Sequence, residues 1–424
     1  MPIKNLLNAS LHDKRWHVGI SSLLFFLMTF MFVWDRSYNL FAALLLLLSL
    51  VVVALRIGNS LAWDREIRWL MSILVAGVAI GLMHVLLGGE SFTVVERPLK
   101  LLFILPIMLA IVRVGVQIKL LQFGLVLGVV ITALIVGYQH HIGGMLRAAN
   151  GYNPLPFSEV ALTICGVLSA FCLVDRGWRS WMFGVGAIAA FYCVIVSGSR
   201  GTLLAVIPML LTLILIAWFR RQSCWWRLRQ STLAGLVVVL VLTSLGGSIV
   251  WKSSGIGERI SQAFSSITTY KEDPSSISSV GIRLNLWQSA WISFQENPIV
   301  GVGHASRPQY LRDLNADGRV SLGDIYWAHT HSDYFDSLQR YGLPSMLLVI
   351  ALYVALFKIF LSVLRRSAIG EQFSLALGGL LSVVGYATFS LTEVPLRNGL
   401  TLVFFVVLMA VLVGMLKRRE LGFD

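Results

Sequence analysis

Two histidines in a long polar segment, Lys252 to Tyr341, are the side chains of this chain best suited to proton transfer. His329 and His331 lie two residues apart, just before a predicted helix. An imidazole can act as a general base near neutral pH, because its unperturbed pKa is close to neutrality. The alternative is a structural histidine. The spacing allows a metal pair only in extended backbone, and no third ligand has a suitable spacing, so the sequence does not favour zinc.

Arginines at predicted membrane depth form the second set of candidates. Arg283 lies in the first turn of a predicted amphipathic helix, residues 281–295, where the helix dipole disfavours a structural cation. Arg200 lies in a tight turn between two apolar runs, and Arg397 lies in the last outward turn. The planar fork of arginine binds phosphate oxygens in pairs, which indicates a diphosphate ligand. The alternatives are a snorkelling side chain for Arg283 and an internal salt bridge for the other two.

A twelve-residue stretch of the same segment has the spacing of a calcium-binding loop. Glycine stands at position 6 and an apolar residue at position 8, as such loops require. The predicted ligand positions are Asp313, Asn315, Asp317, Arg319 (through its carbonyl), Ser321 and Asp324. A calcium ion here would brace the loop and would take no part in the chemistry. The alternative is an Asp/Asn/Gly-rich turn without an ion.

The composition shows which elements must carry these residues. Hydrophobic residues make up 57% of the 424 residues and charged residues only 13%, which excludes a soluble enzyme, a fibrous protein and a disordered chain. Long uncharged runs predict an all-α polytopic membrane protein with about twelve transmembrane helices. The predicted spans are 18–34, 38–55, 69–87, 99–112, 120–137, 159–174, 180–197, 202–218, 231–250, 342–360, 373–391 and 399–416.

The distribution of charge predicts the topology. Residues 1–251 would hold nine spans, residues 252–341 a large periplasmic loop containing helices, and residues 342–424 three spans, with the last loop helix meeting the tenth span at Gly342. The side of the termini carries 20 of the 34 basic and 7 of the 21 acidic residues, so the whole net charge of +13 lies there. Both termini are therefore predicted to be cytoplasmic. Because the charge is sorted between membrane faces, no nucleic-acid partner is expected.

Four short motifs in this order and on the predicted outer side make the chain resemble the bacterial O-antigen ligase and polymerase superfamily, most of all its ligases. The motifs are Ser197-Gly-Ser-Arg200-Gly, Arg283 followed by Leu286-Trp287, Asn297-Pro298 with Gly301-x-Gly303, and His331-Ser332. The ligase signature is His, then Asn, Ser or Gln, then nine residues, Gly, two residues, and finally Gly, Thr or Tyr. His331, Ser332 and Gly342 satisfy its first three defined positions. It fails at its last position, which is Ser345.

The resemblance implies an enzyme of the bacterial inner membrane with a periplasmic active site. Such ligases transfer a polysaccharide from undecaprenyl diphosphate to a sugar hydroxyl of lipid A-core, are similar to GT-C glycosyltransferases, use no catalytic metal and invert the anomeric centre. Carried over, His331 would be the base and Arg200 and Arg283 would hold the diphosphate. Glu393 loosely matches an acidic residue that ligases tend to have in the last outward turn. It would be a further substrate-binding residue.

Three alternatives remain at the level of sequence. An O-antigen polymerase would use a second lipid-linked repeat as acceptor, and a protein O-glycosyltransferase of the same superfamily usually carries extra periplasmic sequence at its end. A lipid or polysaccharide transporter more often has ionisable residues inside its spans, whereas the predicted spans are almost free of them, His84 being an exception.

Overall fold

The computed structural model describes residues 2–34, 37–58, 64–220, 279–322 and 328–423. All regular secondary structure in these ranges is α-helical. The helices are α1 (Pro2–Phe30), α2 (Ser37–Ala54), α3 (Arg65–Gly88), α4 (Thr93–Leu102), α5 (Ile104–Val114), α6 (Ile118–His141), α7 (Pro154–Val174), α8 (Trp178–Ser197), α9 (Arg200–Leu203), α10 (Val206–Arg220), α11 (Ser279–Glu296), α12 (Arg307–Ala316), α13 (Asp333–Arg366), α14 (Glu371–Thr392) and α15 (Gly399–Glu420). The predicted ninth span, the first part of the predicted loop and Asp324 lie outside the described residues.

Nine helical segments among the described residues are long and apolar enough to cross a membrane. They are α2, α3, α6, α7, α8, α9 with α10, α13, α14 and α15, and each coincides with one of the predicted spans. The prediction of an all-α polytopic membrane protein is therefore confirmed. The total of twelve spans stays a prediction.

The predicted fourth span, 99–112, is two helices and not one. α4 and α5 meet at Phe103, between Leu102 and Ile104. The reason is Pro106, which has no N–H to donate to the carbonyl of Leu102 and whose ring crowds that carbonyl. The regular helical hydrogen bonding is therefore interrupted three residues before the proline.

The last helix, α15, forms the centre of the bundle. Of its apolar window, 89% is buried, against 78% for α7 and 72% for α14, whereas only 22% is buried in α2 and in α3 and 17% in α9 with α10. α15 packs against α5, α14 and α7, and α7 in turn packs against α8 and α14. The periphery thus remains apolar and exposed, as a lipid-facing surface must be.

Small residues let α6 approach α1 closely. Gly124 and Gly128, one turn apart, face the backbone of residues 25–29 in α1, and a Cβ on either glycine would collide with a carbonyl oxygen there. Close backbone approach at a small-xxx-small pair is a common way to pack helices inside a membrane.

Residues from the face predicted to be cytoplasmic gather at one end of the bundle. Lys417 of α15 donates to Asp64 at 2.6 Å, to Glu66 at 3.0 Å and to Glu420 at 2.9 Å. Asp64 also accepts from the Ile67 N–H and so caps α3. Residues that the charge distribution of the sequence assigns to one membrane face therefore come together in the structure. Which face is cytoplasmic stays a prediction.

The predicted amphipathic helix of residues 281–295 is α11, and its apolar row packs on protein. Leu286 is fully buried in a small second core, with Ile282 at its edge and Leu311 and Leu314 of α12 opposite. This core also contains Val320, position 8 of the calcium-like loop.

The calcium-like loop remains a prediction, because its last ligand position is not described. Gly318, at position 6, has φ +69°, the left-handed conformation that a sharp turn requires. The side-chain oxygen of Asn315 accepts from the Leu322 N–H at 2.8 Å, and Asp313 accepts from the Gln309 amide at 2.7 Å.

The junction predicted at Gly342 is a kink inside α13. Gly342 has φ +75° and ψ −176°, which interrupts the helix between its loop part and its membrane part. The strip 297–303 packs against the kink: Leu343 donates to the Pro298 carbonyl at 2.8 Å, and a Cβ on Gly342 would collide with the Ile299 carbonyl. The first turns of α13 can therefore point in their own direction, towards the site described below.

Candidate active site

The short loop before α13 holds His331 in an uncommon backbone conformation. His331 has φ +55°, which costs a non-glycine residue free energy and persists only where its surroundings fix it. The flanking residues are fixed on both sides: the Thr330 carbonyl accepts from the indole of Trp287 at 3.1 Å, and the Ser332 hydroxyl donates to the Ser390 carbonyl at 2.9 Å. The histidine is thus positioned by α11 and α14.

His331 is paired with Glu393, the first residue after α14. Nδ1 of His331 lies 3.0 Å from Oε1 of Glu393. An ionised carboxylate can only accept, so Nδ1 must carry the proton and Nε2 keeps its lone pair. Burial acts to raise the pKa of Glu393, but the hydrogen bond from His331 and the surrounding positive charge lower it below its ordinary value. The pair has the form of a general base oriented by a carboxylate.

Arg283 completes a three-residue cluster with this pair. Its Nη2 lies 3.7 Å from the same Oε1 of Glu393, and its side chain is 30% exposed. The structure therefore brings together His331, Arg283 and Glu393, which the sequence analysis singled out separately. An imidazole and a guanidinium thus share one carboxylate oxygen as neighbour.

Arg200 lies on the neighbouring element at the same end of the bundle. It is the first residue of α9, is exposed, and precedes Gly201, whose added Cβ would lie 3.3 Å from the hydroxyl of Thr392. Thr392 directly precedes Glu393, so α9 sits against the turn that carries the carboxylate. The backbone of α9 thus lies beside this turn, and the approach of the Arg200 side chain to the cluster stays a prediction.

His329 is the neighbour that could join His331 and Glu393 in holding a metal. The ligand atoms of the three residues lie within 4.8 Å of one another. Nδ1 of His329 accepts from the His331 N–H and Nδ1 of His331 is bonded to Glu393, so a metal bound at either Nδ1 would displace a hydrogen bond, whereas Nε2 of each ring is a second possible ligand atom. Burial, and then the neighbouring imidazole of His331, lower the pKa of His329 to about 4, so His329 is neutral at pH 7.

A buried ionic network fixes the start of α13. Asp333 accepts from Arg97 of α4 at 2.7 Å, and Asp336 accepts from Arg340 and from Arg397, each at 3.0 Å. The Asp333 N–H also donates to the Glu393 carbonyl at 3.1 Å. Buried carboxylates with such partners hold a backbone firmly, because breaking one pair leaves an uncompensated charge. The turn carrying Glu393 is thereby tied to the helix that follows His331.

Several of these residues were missed from sequence. Asp336 and Arg340 have the i, i+4 spacing of a helical ion pair, which was a usable signal. Arg397 does form the internal salt bridge that was the alternative for it, with Asp336. The expectation that the spans are almost free of ionisable residues is wrong for Glu159, which is 2% exposed in α7 and lies within electrostatic reach of Glu393.

The predicted residues therefore fall into two places. His331 and Arg283 each contact Glu393, and α9 packs against the turn that carries this carboxylate. The described part of the calcium-like loop packs in the separate small core of α11 and α12. The described molecule is a helical membrane-type bundle with an ordered His–Glu–Arg cluster at one end.

Comparison with known proteins points to one family for this arrangement. Residues 185–350 match the family model described as O-antigen ligase. Arg200, Arg283, His331 and Gly342 lie within the match, and Glu393 lies beyond it. This match confirms the resemblance to the O-antigen ligase superfamily. A protein of Haemophilus influenzae (strain ATCC 51907 / DSM 11121 / KW20 / Rd), named as uncharacterized, is 20% identical over 319 residues, which cover 74% of this chain and 78% of that relative.

Proposed function

We propose that this protein is an O-antigen ligase of the bacterial inner membrane. It transfers a polysaccharide from undecaprenyl diphosphate to a sugar hydroxyl of lipid A-core at the periplasmic face, with both termini cytoplasmic. The observation that carries the proposal is the contact of His331 and Arg283 with one oxygen of Glu393, within or next to the segment matched by the ligase family. A base and a cation are what such a transfer needs.

In the proposed reaction, Nε2 of His331 takes the proton from the acceptor hydroxyl. The hydroxyl oxygen forms a bond to the anomeric carbon of the donor, and the bond from that carbon to the diphosphate oxygen breaks. Attack opposite the leaving group inverts the anomeric centre. Glu393 stabilises the imidazolium that forms, because its charge and hydrogen bond favour the protonated ring.

Arg283 and Arg200 act on the departing side. The electrons of the broken bond go to the diphosphate, and a guanidinium facing it neutralises the charge that develops there. The donor already carries a good leaving group, so the reaction needs no cofactor. The main contribution of the protein is to align two lipid-borne partners around one base.

The O-antigen polymerase is the second candidate, because Ser345 stands where the ligase signature has Gly, Thr or Tyr. It would use the same base and the same donor and would differ only in the acceptor. The length of the chains that remain on the carrier separates the two reactions.

The first test is transfer by purified protein from a lipid-linked polysaccharide to lipid A-core. His331→Ala and Arg283→Ala should each abolish transfer and leave the protein folded. His140→Ala and Arg312→Ala are matched controls on the predicted outer side. Among the described residues, the side chain of His140 hydrogen-bonds only to Met145 and that of Arg312 only to Gln309, so both variants should transfer normally. Transfer at the normal rate by His331→Ala would refute the proposed base.

The proposed reaction is metal-independent, and a calcium ion at residues 313–324 is proposed as a structural addition only. One experiment addresses both points. A chelator should leave the transfer rate unchanged and should increase protease cleavage between α12 and α13. Loss of transfer on chelation, restored by zinc, would instead point to a metal held by His329, His331 and Glu393. Unchanged cleavage would count against the calcium ion.

A further inference from the structure

A second polar site opens on the other side of the turn that carries Glu393. A cavity of about 340 Å³ lies between α3, α4 and the start of α13. Its polar end is formed by Arg97, Lys100, Arg340 and Arg397 with Asp336. None of the residues that line it belongs to the His331–Glu393–Arg283 cluster. Its size is within the range of sites that hold a small ligand or a lipid headgroup.

The net positive charge of the polar end favours an anionic ligand. Four cations line the cavity against two carboxylates, Glu96 and Asp336, and Asp333 behind the lining pairs with Arg97, which leaves an excess of one positive charge. His304 adds no charge in the described arrangement, because its Nδ1 accepts from Arg340 at 2.6 Å. Burial, then the charges of Arg340 and Arg397, lower the pKa of His304. An anion in the cavity would reduce this excess of positive charge.

Two of the arginines keep donors available for such an anion. In the described part of the chain, Arg97 bonds Asp333 through Nη2 only and Arg397 bonds Asp336 through Nη1 only. Their side chains are 20% and 30% exposed, and Lys100 at the rim is 38% exposed. A guanidinium has five N–H donors, so each arginine can hold its aspartate and still donate to phosphate oxygens.

The other end of the cavity is apolar and borders the outer surface of the bundle. Ile73 and Leu74 of α3 face Leu348 and Leu352 of α13 across it. Only 22% of the apolar window of α3 is buried, and Leu347, next to the lining residues, is 51% exposed. A cationic end joined to an apolar end that borders the lipid-facing surface fits a phosphorylated lipid better than a soluble anion.

We propose that this cavity binds a lipid bearing a phosphate monoester, with the phosphate at Arg97 and Arg397 and the acyl chains along α3 and α13. Resting on the proposed function, this lipid is the anchor of the acceptor glycolipid, and the donor diphosphate is held on the opposite side at Arg283 and Arg200. The turn from Glu393 to Arg397 links the two sites, since Glu393 contacts His331 and Arg397 lines the cavity.

The experiment measures binding of bisphosphorylated lipid A to the full-length protein in nanodiscs of uncharged lipid. Arg97→Gln and Arg397→Gln should each weaken binding about tenfold or more, since each removes a charge-assisted hydrogen bond. Lys100→Glu changes only the rim, and Ser345→Phe fills the cavity without touching a buried ion pair; both should also weaken binding. Arg312→Gln and Glu296→Gln, on α12 and α11, should bind lipid A as the unmodified protein does.

Three competitors identify the source of the anion. Dephosphorylated lipid A and inorganic phosphate should fail to displace the probe. Undecaprenyl phosphate carries a phosphate monoester but lacks the acyl chains proposed to lie along α3 and α13, so it should displace the probe poorly. Displacement by inorganic phosphate at the same concentration as by lipid A, or unchanged binding in both Lys100→Glu and Ser345→Phe, would overturn the proposal. His331→Ala should bind lipid A normally, so a failure of the proposed reaction would be seen in transfer and not in this binding.

Discussion

At the scale of single residues, one carboxylate organises the proposed chemistry. Oε1 of Glu393 lies 3.0 Å from Nδ1 of His331 and 3.7 Å from Arg283. The carboxylate thus sets the tautomer of the base and also fixes the cation beside it. From sequence, Glu393 is predicted to bind substrate, whereas its contact with His331 indicates that it acts through the histidine. We infer that it is a positioning residue.

Glu393→Gln should therefore lower kcat by roughly 10²- to 10⁴-fold, with little change in the KM for the lipid-linked donor. Glutamine can still accept from Nδ1, but it lacks the charge that stabilises the imidazolium. Glu296→Gln is the matched control, because Glu296 pairs with Arg319 on the outer face of α11, and its kcat should be unchanged. An unchanged kcat in Glu393→Gln would contradict this role.

How far the site could be predicted depends on the kind of residue. His331 and the arginines stood out because charged groups are rare in so apolar a chain and their types suit the chemistry. Asp333 and Arg97, 236 positions apart, could not be paired from sequence, because only the packing of α4 against the bundle brings them together. Glu159 lay at the edge of a predicted span and was overlooked, although a buried acid there is costly.

At the scale of elements, the kink in α13 determines where the site lies. The helix before Gly342 carries Asp333 and Asp336, and the helix after it crosses the bundle. The kink is held by the strip 297–303, which donates from Val302 and Gly303 to the carbonyls of Gln339 and Arg340 at 2.9 and 3.0 Å. A side chain at position 342 would disturb both the backbone conformation and this contact.

Gly342→Ala is therefore expected to lower the free energy of unfolding by at least about 1–3 kcal/mol, because φ +75° strains any side chain and the new Cβ meets the Ile299 carbonyl. The measurement is thermal unfolding in detergent, together with the transfer rate. Gly370→Ala is the control, since its φ is 175° and nothing lies within 4 Å of its added Cβ. Equal unfolding temperatures for the two variants would contradict a strained kink.

The helices themselves were largely readable from sequence. Uncharged apolar runs predicted nine segments that the structure confirms, and the junction at Gly342 was predicted as well. The break at Phe103 was not predicted, although Pro106 was visible, because an apolar run was interpreted as one span. The packing of α11 on α12 was also missed, because periodicity shows that a face is apolar but not what covers it.

At the scale of the whole molecule, the charged residues separate into two ends. Lys417, Asp64 and Glu66 contact one another at one end, and the cluster of His331 and Glu393 lies among residues assigned to the opposite face. This grouping is what a positive-inside arrangement requires. The orientation in the membrane follows only if the first end is cytoplasmic.

Cysteine labelling from outside the cell tests that orientation. In a variant with the four native cysteines replaced by serine, Ser91→Cys and Arg312→Cys should react with a membrane-impermeant maleimide in intact spheroplasts. Lys119→Cys, equally exposed but on the predicted cytoplasmic face, should react only after lysis. The reverse pattern would place the proposed site in the cytoplasm and remove its access to lipid-linked polysaccharide.

The central claim is that His331 activates the acceptor hydroxyl in the attachment of polysaccharide to lipid A-core. The most direct measurement uses a strain whose only copy of the protein is His331→Ala, and follows both the lipopolysaccharide ladder and the chains left on undecaprenyl diphosphate. We predict that the ladder is absent and that long chains accumulate on the carrier. A normal ladder would contradict the claim, and accumulation of single repeats would assign the protein to polymerisation instead.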